Sequence, residues 1–217
     1  MQKAVVFDLD GTILDTLEDL RDSMNQVLVT NGMPARSTQE IRSFVGNGLR
    51  NLTARSVVDG TDEETIDKMY AQMMTWYRAH SSIKTKPYED INKILLKLKE
   101  DGYKLSVVSN KADLAVQDLC KKFYPDIFDC AMGARDGVSI KPAPDLVWMA
   151  LDQLGVEKEN AIYVGDSNVD VATAANAGLP CLCVLWGFRD RYQIEKAGGK
   201  IFVDSTANLY SSIVNMF

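Results

Sequence analysis

Histidine is almost missing from this chain: His80 stands alone among 217 residues. A Ser-His-Asp nucleophile would have to use it, yet its polar surroundings, Arg78-Ala79-His80-Ser81-Ser82, read as surface or hinge. Cysteine is sparse as well. Cys120, Cys130, Cys181 and Cys183 include no Cys-x-x-Cys spacing, and one histidine cannot complete a His/Cys zinc site. They read as structural thiols in a reducing cytoplasm, with Cys181 and Cys183 buried on one side of a strand. No basic block is present. The 24 Lys+Arg against 30 Asp+Glu give a net charge of −6, which disfavours nucleic-acid or membrane-surface binding. No apolar run approaches the ~20 residues that span a bilayer. No signal peptide is expected, because the first strand begins almost at once. The chemistry left open is that of carboxylates, lysine and metal.

What is present begins with Val5-Val6-Phe7-Asp8-Leu9-Asp10-Gly11-Thr12, an apolar run that predicts a buried strand and stops on two acids. A plain strand followed by an Asp-Gly turn is the simplest reading of that stretch alone. The chain beyond it changes the odds. Residues 15 to 82 carry helical spacing throughout, with Leu17, Leu20, Met24, Val27 and Leu28 on one stripe and Ile66, Met69, Tyr70, Met73 and Tyr77 on another. Ser37-Thr38-Gln39-Glu40 and Thr61-Asp62-Glu63-Glu64 read as capping boxes. From Lys86 the pattern becomes alternating helix and strand, with strands predicted at Lys104–Val108, near Phe128–Met132, and at Ala161–Val164, Cys181–Leu185 and Ile201–Val203. Such alternation implies an α/β fold, a doubly wound parallel sheet with right-handed crossovers. The predicted division is a core of residues 1–14 and 84–217 and an all-helical insertion of residues 15–83.

Ligands of such sheets bind beyond the carboxyl ends of the strands. Asp8 and Asp10, Ser109 and Asn110, and Asp166 follow three of the predicted strands, and Lys141 joins them from a loop. Asp8, Asp10, Asp166 and Asp170 bring four negative charges against one nearby cation, Lys141, so a divalent ion is called for, and all-oxygen ligands point to Mg2+. An Asp8 carboxylate can attack phosphorus and form an aspartyl-phosphate. Asp10 can protonate the leaving oxygen and then activate water. Ser109, Asn110 and the amides near Gly11 and Thr12 can bind phosphate oxygens, and Lys141 supplies positive charge. Asp166 reads as the distal metal ligand, and Asp170 as a residue behind it or a water-mediated ligand.

In order and context, Asp8-Leu-Asp10-Gly-Thr12, Ser109-Asn110, Lys141-Pro142 and Gly165-Asp166-Ser-Asn-Val-Asp170 resemble the four motifs of the haloacid dehalogenase superfamily. The resemblance covers essentially the whole chain. It implies a Rossmann-like core, Mg2+ dependence, an aspartyl-phosphate intermediate and a metal contact from the backbone carbonyl of Asp10. It also implies that the helical insertion is a cap of the C1 type. Asp10 argues for phosphoryl transfer, since members that release halide lack this second acid. Phe44-Val45-Gly46-Asn47-Gly48-Leu49 and Trp186-Gly187-Phe188-Arg189-Asp190-Arg191 look like segments of phosphoglycolate phosphatases. Gly46, Asn47 and Gly48 are then a candidate substrate-selecting cap loop, or else a simple helix break. Arg50 reads first as a solvated arginine and otherwise as a partner for a substrate carboxylate. The expectation is a cytoplasmic Mg2+-dependent phosphatase for a small phosphorylated metabolite, phosphoglycolate first, with no nucleic-acid or membrane partner. A pyrophosphatase or sugar-phosphate mutase on the same core is the alternative, and a non-catalytic binding protein a distant third.

Overall fold

The computed structural model describes residues Gln2–Phe217. In chain order the elements are β1 (Ala4–Phe7), β2 (Leu14–Asp15), α1 (Leu17–Thr30), α2 (Thr38–Phe44), α3 (Gly48–Ser56), α4 (Glu63–His80), β3 (Lys86–Pro87), α5 (Ile91–Glu100), β4 (Lys104–Ala112) and α6 (Asp113–Phe123). There follow β5 (Cys130–Ala134), α7 (Asp145–Leu154), β6 (Ala161–Gly165), α8 (Asn168–Ala177), β7 (Cys181–Val184), α9 (Arg191–Lys196), β8 (Ile201–Val203) and α10 (Leu209–Val214). Two compact units result, one formed by the residues up to Leu14 with Pro87–Phe217, the other by Asp15–Lys86.

The first unit is a Rossmann-like doubly wound sheet. Six parallel strands lie in the order β5-β4-β1-β6-β7-β8, with β1 in the middle because its apolar run is buried on both faces. Strand alternation sends Val5 and Phe7 to one face with Leu105, Val107, Ile162 and Val164. That face is covered by α5, α6 and α10 through Ile91, Leu95, Leu98, Val116, Leu119, Leu209 and Ile213. Ala4 and Val6 go to the other face with Val108 and Tyr163, covered by α7 and α8 through Leu146, Val147, Ala150 and Ala174. Phe7 is level with Val107 on one side and Val164 on the other. Asp8 therefore leaves β1 alongside the carboxyl-terminal parts of β4 and β6, and its amide still donates to the Val164 carbonyl at 2.9 Å.

In the helical unit α4 packs on α1 and α3, burying Ile66, Met69, Met73 and Tyr77 against Leu20, Met24 and Leu52. Residues 84–86 belong to this unit, past the end expected from the sequence. The cause is Asp19, buried on α1, whose carboxylate accepts the backbone N–H of Ile83, Lys84 and Thr85 at 2.8–3.0 Å.

Further sequence expectations need correction. The cap of α4 is Asp62, which accepts from the Thr65 amide at 2.8 Å, while the Thr61 hydroxyl donates to the Val58 carbonyl. Strand β4 does not stop before Ser109 but runs through to Ala112, with a register shift after Val108. Strand β5 starts at Cys130 rather than Phe128, since Phe128 packs on Phe7 and Tyr124. Cys181 and Cys183 do share a side of β7, with sulfurs 3.9 Å apart, but only Cys183 is fully buried.

Candidate active site

Asp8 is the first residue past β1, and it is buried. Its Oδ1 accepts from Lys141 Nζ at 2.7 Å, while among the described residues Oδ2 has only the Thr12 hydroxyl, 3.5 Å away. Lys141 spends its three protons on three partners: Asp8, Asp170 Oδ1 at 2.8 Å and the Tyr163 hydroxyl at 3.0 Å. Asn110 holds the lysine in place from behind. Its side-chain oxygen accepts the Lys141 amide at 2.8 Å and its side-chain nitrogen donates to the Lys141 carbonyl at 3.0 Å.

Asp166 follows β6 and is fixed on both oxygens. The Thr12 hydroxyl donates to Oδ1 at 3.1 Å and the Phe188 amide to Oδ2 at 2.6 Å. Room for this comes from glycines. A Cβ on Gly11, which sits at φ +89°, would stand 2.5 Å from Asp166 Oδ2, and one on Gly187 would stand 2.2 Å from Asp166 Cβ. Asp170 closes the first turn of α8 as a capping box with Ser167, whose amide and hydroxyl donate to its Oδ2 at 3.0 and 2.6 Å.

The carboxylates of Asp8, Asp166 and Asp170 each bring one oxygen within 4.8 Å of the others. Their electrostatics show surplus negative charge. Burial is the main cause pushing the Asp8 carboxyl well above its usual range; Lys141 opposes this, and the Asp170 and Asp166 charges add to it. Burial, then the Asp170 charge, pushes Asp166 up to about 7. Burial alone would pull the Lys141 ammonium down, but Asp170 and Asp8 outweigh it and hold the lysine well above its ordinary value. Three buried acids, all oxygen, with more charge than one ammonium neutralises, fit a hard divalent cation. Asp170 accepts two hydrogen bonds on each oxygen, from Lys141 and Tyr163 and from the Ser167 amide and hydroxyl, whereas Asp8 and Asp166 accept one on each, so Asp8 and Asp166 are the two better able to ligate.

The predicted residues therefore come together at Asp8, Lys141, Asp166 and Asp170. Ser109 lies buried on β4 and its hydroxyl accepts the Lys111 amide at 3.2 Å. The expected tally of four acids against one lysine is corrected by Lys111, whose Nζ lies 2.9 and 3.1 Å from the two carboxylate oxygens of Asp10. The parity of a strand continuing past Ser109 was the signal that could have found it. Tyr163 and Phe188 were also missed as partners; Phe188 acts through its backbone, to which side-chain patterns are blind. In the helical unit, Gly46 and Gly48 both take positive φ and separate α2 from α3. The Arg50 guanidinium there is turned to Glu63 and Asp67 of α4, at 2.6 and 2.8 Å.

A parallel α/β sheet whose strand tips join a buried aspartate, a lysine and further acids places carboxylate chemistry at the edge where such sheets bind ligands. Residues 5–184 match the family model described as haloacid dehalogenase-like hydrolase, and the chain belongs to that family. It is 32% identical over 193 residues to the phosphoglycolate phosphatase of Neisseria meningitidis, covering 87% of this chain and 82% of the relative. It is 31% identical over 191 residues to that of Aquifex aeolicus, covering 86% of each. A crystal structure from Lactobacillus delbrueckii subsp. bulgaricus, provisionally assigned as a phosphoglycolate phosphatase, superposes with a TM-score of 0.93 at 31% identity, over 98% of this chain and 99% of that one.

Proposed function

We propose that this chain is a Mg2+-dependent phosphomonoesterase for a small phosphorylated metabolite, phosphoglycolate first, acting through an aspartyl-phosphate on Asp8. One observation carries the reading: Asp8 is buried with one oxygen on Lys141 and the other held only by a long contact, beside the acids of a cation site. The weakly held oxygen attacks phosphorus, and the bond from phosphorus to the ester oxygen breaks as Asp10 gives that oxygen a proton. Asp10 then takes a proton from water, water attacks phosphorus, and the bond to Asp8 breaks to release phosphate. Lys141 and Ser109 face the phosphate oxygens, and Asn110 serves by anchoring Lys141. Asp8, Asp166 and the Asp10 backbone carbonyl would hold Mg2+, with Asp170 behind them. Bound there, the ion supplies charge that offsets the acids and the phosphate.

Phosphoglycolate is favoured because the Neisseria and Aquifex relatives carry that name at 32% and 31% identity. The core residues up to 14 and from 87 onward carry the chemistry in this reading, and residues 15–86 form the cap, with Gly46, Asn47 and Gly48 selecting substrate. Arg50, already in ion pairs with α4, is a brace of that loop. The four cysteines are free thiols, which suits a cytoplasmic setting, and no helix among the described residues is long and apolar enough to cross a membrane. The test is a screen of phosphorylated metabolites with purified enzyme, with and without Mg2+, alongside Asp8→Asn. The substitution is expected to abolish turnover of every ester. Robust hydrolysis by Asp8→Asn would refute the covalent route.

A further inference from the structure

Lys111 is a buried lysine to which the reaction scheme assigns no task. Its side chain is 3% exposed and contacts both oxygens of Asp10. The backbone holds it there firmly. The Lys111 N–H donates to Ser109 Oγ at 3.2 Å. On the neighbouring strand, Gly133 comes so close that a Cβ would stand 2.5 Å from the Lys111 carbonyl oxygen and 2.6 Å from Asp113 Cα. Asp113 then takes the Gly133 amide at 2.7 Å and Arg135 at 2.8 Å, locking β5 to the chain just after Lys111. Burying an ammonium costs several kcal/mol unless it is paired, so its placement against Asp10 is a built contact rather than a stray surface one. Each working acid of the reaction thus has its own lysine: Lys141 for Asp8, Lys111 for Asp10.

We propose that Lys111 is a positioning residue for Asp10, fixing the carboxylate rotamer from which protons pass to the leaving oxygen and from the attacking water. The inference rests on the role given to Asp10 above. A short side chain beside a glycine turn has several rotamers open to it, and a two-oxygen contact removes that freedom. Loss of Lys111 should then spare attack on phosphorus while slowing the steps in which Asp10 moves a proton.

The test uses full-length, Mg2+-loaded wild type, Lys111→Met, Lys111→Gln, Asp10→Asn and the Asp10→Asn/Lys111→Met double variant. Rapid quench follows the phospho-enzyme formed from p-nitrophenyl phosphate, whose leaving group needs no proton, and from 2-phosphoglycolate, whose alkoxide does. With the aryl ester, Lys111→Met is expected to form phospho-enzyme at close to the wild-type rate and to accumulate it, as hydrolysis falls about 10- to 100-fold. With the alkyl ester, formation should slow as well. The double variant should be no slower than Asp10→Asn alone. Equal losses in formation and hydrolysis for both esters, or losses that multiply in the double variant, would overturn the proposal. Lys111→Gln is read by the same criteria if the methionine variant does not fold. A wild type that forms no phospho-enzyme from either ester would instead refute the covalent reading of Asp8, a result distinguishable from failure of the Lys111 assignment.

Discussion

Asp166 ties the site to pH. Its carboxyl is raised to about 7, first by burial and then by the Asp170 charge. A proton held more tightly in the folded than in the unfolded chain favours folding below the ordinary carboxylate range, and that contribution is lost as pH climbs from there through about 7. Metal-free wild type is therefore expected to lose Tm between about pH 5 and about pH 7.5 more steeply than Asp166→Asn, and added Mg2+ to raise Tm more at the higher pH. Identical slopes in the two proteins would contradict this. Gly11 gives a second test. An alanine there meets Asp166 and Phe188 at a φ of +89°. Gly11→Ala is expected to cost roughly 1–3 kcal/mol in urea unfolding and most of the activity. The acids and Lys141 were legible in the sequence because buried strands ending on charge need a reason. Tyr163 and Phe188 were not, because a buried phenol and a backbone amide become partners only once strands far apart in sequence are aligned.

Elements set where those residues point. The length of β4 decided Lys111: a strand thought to end at Ser109 leaves the next lysine in a loop, whereas a strand continuing to Ala112 returns it to the Ser109 side. Helix stripes were read well, since Leu20, Met24, Val27 and Leu28 of α1 are all buried at the expected spacing. Boundaries were less legible because capping depends on which side-chain oxygen the backbone aims at the first-turn amides, as Asp62 beside Thr61 shows. Asp19 illustrates the energetic weight of one element-end residue. Asp19→Ala strands three N–H donors at Ile83, Lys84 and Thr85. It is expected to destabilise the protein by about 3 kcal/mol, with hydrogen exchange speeding at those amides first. Arg50→Ala, by contrast, removes exposed pairs with Glu63 and Asp67 and should leave Tm nearly unchanged. A large drop would mean that Arg50 braces more than its loop.

The whole molecule was legible as a class, because alternating strands and helices leave few topologies, and the order of the motifs matched one family. The chain falls into two compact units where a helical stretch stands between one strand and the rest of its sheet. The core shows how that insertion is accommodated. The Ile13 carbonyl accepts the Tyr88 amide at 3.3 Å and the Tyr124 hydroxyl at 2.6 Å, so the points where the chain leaves and re-enters the core are fastened to each other. A version with residues 15–86 replaced by a short Gly-Ser linker is expected to keep the core's fold, seen as retained near-ultraviolet circular dichroism and cooperative melting. Non-cooperative melting would show that the core leans on the helical unit. With both ends bolted at one carbonyl, whatever is spliced between them need not stretch across a gap, and loop-closure entropy grows only with the logarithm of its length. That junction works as a mounting plate: its cargo can be trimmed, extended or exchanged in the course of descent while the sheet beneath keeps its register.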